Sequence, residues 1–518
     1  MWFEIVICGV LVLATLAVYD YFYNAGTNAP GPFGLPFVYQ LIEAHRILGR
    51  LDEYLDETRR IYGPTFLMRA PAVPPFIVTV DPANVEHVLK TKFSNYIKGE
   101  FFTSNLEDVL GKGIFNVDGE AWKRQRKITS HMFNVSNFRN GMTHVFRFHL
   151  RELCSVLETK LAKPVDLHEF FHRFTLDSIC QIAFGKNLGS IRNSRLPFVV
   201  AWDTTNETVI YRMILHRYIR QLFIAEENVS YKVKLLRGFA RDIIQERRDE
   251  QARDLERFNS RSDLLSLYLA RTDDTGQMFT DDYLIDMVLN IIIAGRDTTA
   301  QSLAWTVKLL CENPEVFVKL REEIDRVLGS SKPCDYTTSQ QMKYLMAVIH
   351  ESLRLYPSVP RDIKQAVEDD VLPDGTRVPK GYLVVYFPYG MGRCEAIWGP
   401  DARAFRPERF LNPAGDFIKP SPFAYPVFQA GPRTCLGQNM ALLEQAMVLA
   451  TLVQRYDLEM VPDQNFEIAF NLTCPMKNGL QVVIRPRAQH CADGPPPRLE
   501  DQFSADTLGS MAAELEAH

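Results

Sequence analysis

The chain reads Phe428-Gln429-Ala430-Gly431-Pro432-Arg433-Thr434-Cys435-Leu436-Gly437 across one glycine-rich turn, and this stretch decides the fold. Cys435 lies just before a predicted helix, so backbone N–H groups and the helix dipole can hold its sulfur as a thiolate. Gly431 and Gly437 let the backbone approach the sulfur and a flat ligand closely, and Phe428 can cover the sulfur and exclude water. A thiolate protected in this way is typical of a ligand to haem iron, where it favours O–O cleavage.

Arg433 is placed to reach a haem propionate through a charge-assisted hydrogen bond. A buried structural cysteine in a glycine-rich turn is the alternative, and a lone Cys-x-Gly would favour it. The joint spacing of Phe, Gly, Arg, Cys and Gly favours Cys435 as the iron ligand instead. The nine cysteines of the chain form no Cys-x-x-Cys pair, so a disulfide framework or a structural zinc site is not expected.

The loop around Cys435 resembles the haem-binding loop of the cytochrome P450 family. This resemblance implies a mainly α fold with a minor β region, in which a helical body surrounds a buried haem b. It also implies O2 as co-substrate. No flavin or nicotinamide segment follows Cys435, so electrons are expected to come from NADPH through a separate flavoprotein reductase that docks on the Cys435 side.

The composition agrees with a large body that handles apolar ligands. Of 518 residues, 46% are hydrophobic and 11% aromatic, which supports an extensive core. The formal charge of −5 and the absence of long Lys/Arg runs argue against nucleic acid as the main partner.

The two ends of the chain differ from its middle. Residues 1–23 are predicted to form an N-terminal transmembrane anchor, because residues 5–18 carry no charge and aromatic residues flank them. A cleaved signal peptide is disfavoured because the start lacks Lys and Arg. Residues 24–40 are predicted as a proline-rich hinge, 41–487 as the catalytic domain, and 488–518 as a flexible tail. The expected location is the endoplasmic reticulum membrane, single-pass, with the catalytic domain on the cytosolic side.

The body is predicted to be mostly helical. The main helix has Thr280 as its N-cap and runs from Tyr283 to about Cys311. Because its middle is apolar nearly all round, this helix is predicted to be buried. Two further helices are predicted at 339–355 and 435–455, and short strands at 76–80, 382–387 and 480–484.

Two motifs lie between the long helix and the cysteine loop. Glu351 and Arg354 share a helix face, and Pro407-Glu408-Arg409-Phe410 follows. Taken alone, the first motif would be a surface ion pair. The P450 resemblance implies instead that Glu351, Arg354 and Arg409 form a buried, structural charge network.

Three further residues are candidates for holding the haem. Trp122 and Arg126 are four apart on a predicted helix, where an indole N–H and a guanidinium can bind a propionate. An amphipathic surface helix is the alternative, and the family resemblance favours the propionate role. The resemblance also implies a basic propionate contact at Lys364.

The long helix contains Ala294-Gly295-Arg296-Asp297-Thr298-Thr299. A mid-helix glycine costs about 1 kcal/mol relative to alanine, so it suggests a specific requirement. A threonine hydroxyl can bond a carbonyl one turn back and widen the helix to make room for O2. A helix kink with a polar cap is the alternative. The resemblance favours Asp297 and Thr298 as catalytic residues that deliver protons, with Arg296 facing away to pair with a surface acid.

The resemblance extends to the eukaryotic alkane and fatty-acid ω-hydroxylase branch, through Gly113–Gly119, Gln125–Lys127 and Leu355–Pro360. It implies hydroxylation of a long-chain fatty acid or alkane at its terminal carbon. The implied pocket residues are Phe101, Phe102, Asn290, Ile293, Ala294 and Val359. The alternatives are a haem-thiolate isomerase or dehydratase, or a non-catalytic haem-binding sensor. Neither alternative would need the Asp297-Thr298 pair.

Overall fold

A computed structural model describes residues 9, 12, 14, 15, 26–32, 49–69, 73–131, 133, 141–193, 196–214, 226–261, 263–272, 276–329 and 332–487. The predicted anchor, apart from four isolated positions, and the predicted tail lie outside these residues. Among the described residues, no helix combines the length and apolar character needed to span a bilayer.

Helices make up most of the described chain. They are α1 (Leu51–Tyr62), α2 (Pro82–Glu86), α3 (Gly99–Leu110), α4 (Gly119–Ser130), α5 (Thr143–Glu158), α6 (Leu167–Phe184), α7 (Pro197–Ile214), α8 (Glu226–Arg253), α9 (Leu255–Ser260), α10 (Leu264–Leu269), α11 (Asp281–Glu312), α12 (Pro314–Leu328), α13 (Tyr336–Ser339), α14 (Lys343–Leu355), α15 (Pro388–Gly392), α16 (Glu395–Trp398) and α17 (Gln438–Arg455). A π-helical turn (His87–Thr91) follows α2, and short 3₁₀ turns occur at Phe93–Asn95, Pro407–Phe410 and Gly431–Arg433. The mainly α class predicted from the sequence is confirmed.

The strands form a minor β region. They are β1 (Thr65–Met68), β2 (Phe76–Thr79), β3 (Tyr96–Ile97), β4 (Pro164–Asp166), β5 (Asp362–Ala366), β6 (Asp370–Val371), β7 (Arg377–Val378), β8 (Leu383–Tyr386), β9 (Tyr456–Met460) and β10 (Gln481–Pro486). One sheet has the order β1-β2-β8-β5-β3, a second has β4-β10-β9, and β6 pairs with β7. Only β2 and β8 run parallel among the described strand pairs. The three strands predicted from the sequence lie within two residues of β2, β8 and β10.

The long helix α11 begins as the sequence predicts. The Thr280 side chain accepts a hydrogen bond from Tyr283 N, which satisfies one of the free N–H groups of the first turn. Nearly all side chains from Leu284 to Leu310 are buried, because α6, α8 and α14 pack against α11. The helix therefore passes through the centre of the body.

The helix predicted at 339–355 ends at Leu355 as predicted, but it begins only at Lys343, so the predicted start is wrong. Asp335 and Thr338 form a capping box at the start of the short helix α13. Glu323 of α12 then accepts hydrogen bonds from Tyr344 N and Leu345 N, both at 2.8 Å. A carboxylate from a neighbouring helix thus caps α14, and local sequence cannot reveal such a cap.

The hydrophobic interior has a large core among the helices and a smaller one around the five-stranded sheet. The cysteine loop contributes to both, because Phe428 packs on the helical core and Ala430 belongs to the sheet core. The loop therefore lies at the junction between the two cores.

Part of the predicted hinge is docked on the body. Leu67 N of β1 donates to Pro30 O at 2.7 Å, and Asn28 exchanges hydrogen bonds with Gly375 O and Arg377 N. A Cβ on Gly31 would lie 2.2 Å from Leu67 O. The packed body consequently extends to residues 26–32, before the predicted boundary at residue 41.

Candidate active site

The cysteine loop presents an accessible thiol at the start of α17. Among the seven described cysteines, Cys435 alone is exposed. Cys435 N donates to Phe428 O at 2.8 Å, which closes the turn. Packed protein around the loop raises the pKa of the Cys435 thiol, whereas hydrogen bonds from Gly437 N and Gln438 N and the charge of Arg126 lower it. The groups that favour a thiolate therefore already point at the sulfur.

Gly431 and Gly437 of the loop differ in the space that surrounding atoms leave for a side chain. Gly431 has a φ of +63°, and a Cβ at that position would lie 2.1 Å from Leu89 O in the π-helical turn. A side chain at Gly431 is therefore excluded by the backbone itself. At Gly437 a Cβ would meet the Phe133 ring at 3.8 Å and Cys435 Sγ at 3.9 Å, which are ordinary contacts. The described residues therefore leave room for a side chain at Gly437, unlike at Gly431.

A buried carboxylate joins the loop to the main sheet. Asp362 on β5 accepts hydrogen bonds from Lys364 Nζ (2.8 Å), Lys98 Nζ (2.9 Å) and Tyr386 Oη (2.8 Å), and also from the Gln429 amide. Burial alone would raise the pKa of Asp362, but the two lysines hold it well below its usual value. Two lysines thus share one carboxylate, and burial lowers the pKa of Lys364 to about 7 although Asp362 raises it.

A second basic group lies beside the loop. The Arg433 guanidinium stacks over the Trp122 ring at 4.6 Å, and Arg126 lies 5.8 Å from the same ring. Arg433 Nη2 donates to Asp118 Oδ1 (2.6 Å) and Val117 O (2.9 Å). Arg433 is therefore paired with the Asp118 carboxylate. Because a guanidinium has five N–H groups, Arg433 can bind further acceptors as well.

These features fit the group that the sequence predicted. A haem bound through cysteine would take a thiolate as its protein ligand and would place basic side chains near its two propionates. Cys435 can supply the thiolate. The site also has more basic side chains (Lys98, Lys364, Arg126 and Arg433) than acidic ones (Asp362 and Asp118). The helical fold and this site together define a haem-thiolate protein.

The middle of α11 opens toward accessible space on one face. Between Ile291 and Ala300 only Ile293, Ala294 and Thr298 are partly exposed. Thr298 Oγ1 donates to Ala294 O at 2.7 Å, and its own carbonyl accepts from Ser358 Oγ at 2.7 Å. The predicted back-bond of the threonine hydroxyl is confirmed.

Gly295 serves helix packing. A Cβ at that position would lie 2.4 Å from Ile179 Cγ1 on α6. Thr175 Oγ1 of α6 also donates to Arg296 O at 2.8 Å. The two helices therefore approach each other closely at Gly295, on the side that α6 covers.

The Asp297 carboxylate points toward α6 and α7. It accepts hydrogen bonds from Trp202 Nε1 (3.0 Å) and Arg296 Nη1 (2.8 Å), and His172 Nδ1 lies 3.4 Å away. Although burial opposes ionisation, Arg296, His172 and Trp202 lower the pKa of Asp297 to about 2. Arg296 also pairs with the exposed Asp203 at 2.7 Å, so the predicted pairing of Arg296 with a surface acid is confirmed.

The charge network behind the site has the predicted members. Glu351 binds Arg354 Nε at 2.7 Å and Arg409 Nε at 2.9 Å, and all three side chains are at most 5% exposed. Arg354 also donates to Gly392 O, Ala402 O and, at 3.0 Å, Ala404 O. The network therefore connects α14 with the segment that precedes the cysteine loop. Because Glu351 and Arg354 are buried, they are not a surface ion pair.

Most of the predicted pocket residues lie on two facing elements. Phe102 of α3 and Ile293 of α11 pack on one small hydrophobic cluster, together with Leu472. Phe101 packs edge-on against Phe76 of β2 at 6.1 Å. Ala294 is partly exposed on the accessible face of α11, and Val359 is 37% exposed.

The prediction that Asn290 lines the substrate pocket is wrong. Its side chain donates to Leu110 O and Asp286 O and accepts from Phe115 N. It is fully buried, and a Cβ on Gly113 would lie 2.0 Å from its Nδ2. Asn290 therefore fixes the chain after α3 instead of lining a pocket.

Comparison with known proteins identifies the family. The chain matches the cytochrome P450 family over residues 29–487. It is 38% identical to Cytochrome P450 86B1 of Arabidopsis thaliana, over 85% of this chain and 83% of that protein. It is also 37% identical to Cytochrome P450 94A2 of Vicia sativa, over 90% of this chain and 93% of that protein.

The chain belongs to the cytochrome P450 family. It is accordingly a monooxygenase, an oxidoreductase that uses haem b, O2 and electrons that a reductase takes from NADPH.

The sequence reading missed four polar residues of the site: Lys98, Asp362, His172 and Trp202. One of them had a signal. Asp362 and Lys364 are two residues apart on a strand, so their side chains lie on the same face of the sheet. His172 and Trp202 meet Asp297 only through tertiary packing, which no local pattern reports.

Proposed function

We propose that this P450 hydroxylates the terminal carbon of a long-chain fatty acid or alkane. The observation that carries the proposal is the accessible face of α11, formed by Ile293, Ala294 and Thr298, beside the apolar cluster that includes Phe102. An apolar lining next to a hydroxyl group suits an alkyl chain whose end approaches the reacting centre. The resemblance of three segments to the ω-hydroxylase branch supports the same substrate class.

Each site residue has a proposed role. Cys435 binds the iron, under the cover of Phe428. Lys98 and Lys364 would hold one propionate of the haem, and Trp122, Arg126 and Arg433 would hold the other. The bound haem activates O2 so that one oxygen atom enters a C–H bond and the other leaves as water.

Asp297 and Thr298 supply the protons that the water product requires. A carboxyl group and a hydroxyl group that are adjacent on α11 can pass a proton between solvent and a buried site. The isomerase, dehydratase and sensor alternatives have no use for such a pair.

The test is product analysis with the holoenzyme and a P450 reductase. Laurate, palmitate and hexadecane are incubated with NADPH under isotopically labelled O2, and products are analysed by mass spectrometry. We expect one labelled oxygen at or near the chain end. An unlabelled product, or oxygen only at internal carbons, would contradict the proposed function. Cys435→Ala is the control for haem-independent oxidation.

We also propose that residues 1–23 anchor the enzyme in the endoplasmic reticulum membrane, where its reductase and lipid substrates are found. The uncharged stretch 5–18 supports this proposal. Deletion of residues 2–23 should move the protein from the membrane pellet, after an alkaline carbonate wash, to the supernatant. If the full chain itself washes off, the anchor proposal is wrong.

A further inference from the structure

A pair of histidines lies behind the buried acid of α11. His172 Nδ1 is 3.4 Å from Asp297 Oδ1, and His172 Nε2 is 3.3 Å from His168 Nε2. The two rings meet edge to face, with centroids 4.6 Å apart. His168 lies in the first turn of α6, and both histidines are partly exposed. These contacts bring titratable groups within 3.4 Å of one another from the partly exposed His168 to Asp297, and His172 Nδ1 makes no hydrogen bond to any other described residue that would compete with a transfer to Asp297.

Asp297 cannot supply protons unaided. Its pKa is lowered to about 2, so the carboxyl is ionised at neutral pH and holds no proton. Burial and the charges of His172 and Arg296 lower the pKa of His168, and a neutral imidazole can accept a proton at one nitrogen while releasing one from the other.

Two other contacts of Asp297 do not offer this exchange. Arg296 keeps its proton at any physiological pH, and the Trp202 indole is a donor only. Of these three contacts of Asp297, His172 is the one that can hand over a proton and regain it.

We propose that His168 and His172 form a proton relay that reloads Asp297 from solvent during turnover. The inference rests on the proposed role of Asp297 as the proton-delivering acid. His172 and His168 act through Asp297, so they are positioning and relay residues.

The proton balance of one transfer is as follows. Solvent gives a proton to His168 Nδ1, and His168 Nε2 releases its own proton to His172 Nε2. His172 Nδ1 then releases its proton to Asp297 Oδ1. The carboxyl passes that proton on toward the oxygen that becomes water, and both imidazoles return to their first tautomers through a second exchange with solvent. No electron moves in these steps.

His172→Asn tests the relay, because the asparagine amide can still donate to Asp297 but cannot carry a proton onward. A positioned proton donor contributes about 10²–10⁴-fold to a rate, and Asp297 itself remains. We therefore expect product formation to fall about tenfold or more, with more O2 released as hydrogen peroxide per NADPH consumed. The solvent deuterium isotope effect on product formation should increase. His168→Asn should act in the same direction.

His149→Asn is the matched control. His149 is a buried histidine of α5 with a lowered pKa and no contact with Asp297 among its described interactions. It should leave peroxide release and the isotope effect unchanged. If His172→Asn keeps the native isotope effect and peroxide yield while Asp297→Asn loses them, the relay is overturned. If native enzyme makes no hydroxylated chain at all, the proposed function fails instead.

A readout independent of turnover is a double-mutant cycle of His172→Asn and Asp297→Asn on the free energy of unfolding. Residues in contact show non-additive effects. Additive effects would mean that the two side chains do not interact, and the relay would then lack the step that delivers the proton to Asp297.

Discussion

Cys435 shows how backbone geometry prepares a single side chain for metal binding. The Gly437 and Gln438 N–H groups already point at the sulfur, and Arg126 adds positive charge. None of these groups comes from a metal, but burial outweighs them, so the pKa of the Cys435 thiol is still raised in the folded protein. The thiols of Cys154, Cys180 and Cys474 are buried in the core, and burial raises the pKa of each.

Cys435→Ala should abolish thiolate ligation, because alanine has no sulfur to bind the iron. The reduced, carbon monoxide-bound native protein should absorb at about 450 nm, as thiolate-ligated ferrous haem does. The variant should lack this peak. Cys311→Ala is the control, and a peak that survives in Cys435→Ala would remove the assigned ligand.

Glu351→Gln should destabilise the protein strongly. The substitution keeps the shape of the side chain but leaves Arg354 and Arg409 buried without their counter-charge. Breaking a buried ion pair typically costs about 3–5 kcal/mol. Urea denaturation measures the loss, with the exposed Glu395→Gln as the control. Equal unfolding midpoints for the two variants would mean that the network contributes little.

At the scale of elements, α11 was predictable because its signals are local. Thr280 caps it, the apolar run buries it, and Asn313-Pro314 ends it. The start of α14 was not predictable, because Glu323 caps it from another helix. The same limit applies to Asn290, whose polar side chain on a buried helix face could serve a ligand or a neighbouring backbone equally well. Within the loop around Cys435, the hydrogen bond from Cys435 N to Phe428 O is local, whereas the contacts of Gln429, Gly431 and Arg433 reach distant segments.

Gly295→Ala should force α6 and α11 apart. The added methyl would lie 2.4 Å from Ile179 Cγ1, and overpacking of this kind costs about 1–3 kcal/mol. Thermal unfolding should show a lower midpoint, and Ile179→Ala in the same chain should restore part of it.

Gly238→Ala is the matched control for that prediction. Gly238 also lies within a helix, but a Cβ there meets nothing within 4 Å. Alanine should then stabilise the helix by about 0.5–1 kcal/mol. If both glycine variants gain stability, the close approach of α6 and α11 does not limit residue 295.

For the whole molecule, buried histidines make stability depend on pH. Burial lowers the pKa of His149 to about 4 and that of His350 to about 3. Below about pH 6.5 these histidines bind protons in the unfolded chain but remain neutral in the folded protein. The free energy of unfolding therefore falls as pH falls. Each histidine contributes up to about 1.4 kcal/mol per pH unit down to its folded pKa.

Urea denaturation of native protein and His149→Gln between about pH 7.5 and pH 5 measures this slope. We expect the variant to lose stability less steeply with acid. Parallel curves for the two proteins would show that His149 gains no proton on unfolding in this range.

The contact of Gly431 with Leu89 O has a consequence for biosynthesis. Leu89 belongs to the π-helical turn at His87–Thr91, which the ribosome makes long before it reaches the cysteine loop. The nascent chain therefore cannot complete the surroundings of Cys435 until both segments have been synthesised and brought together. Cofactor capture at Cys435 must wait for that contact.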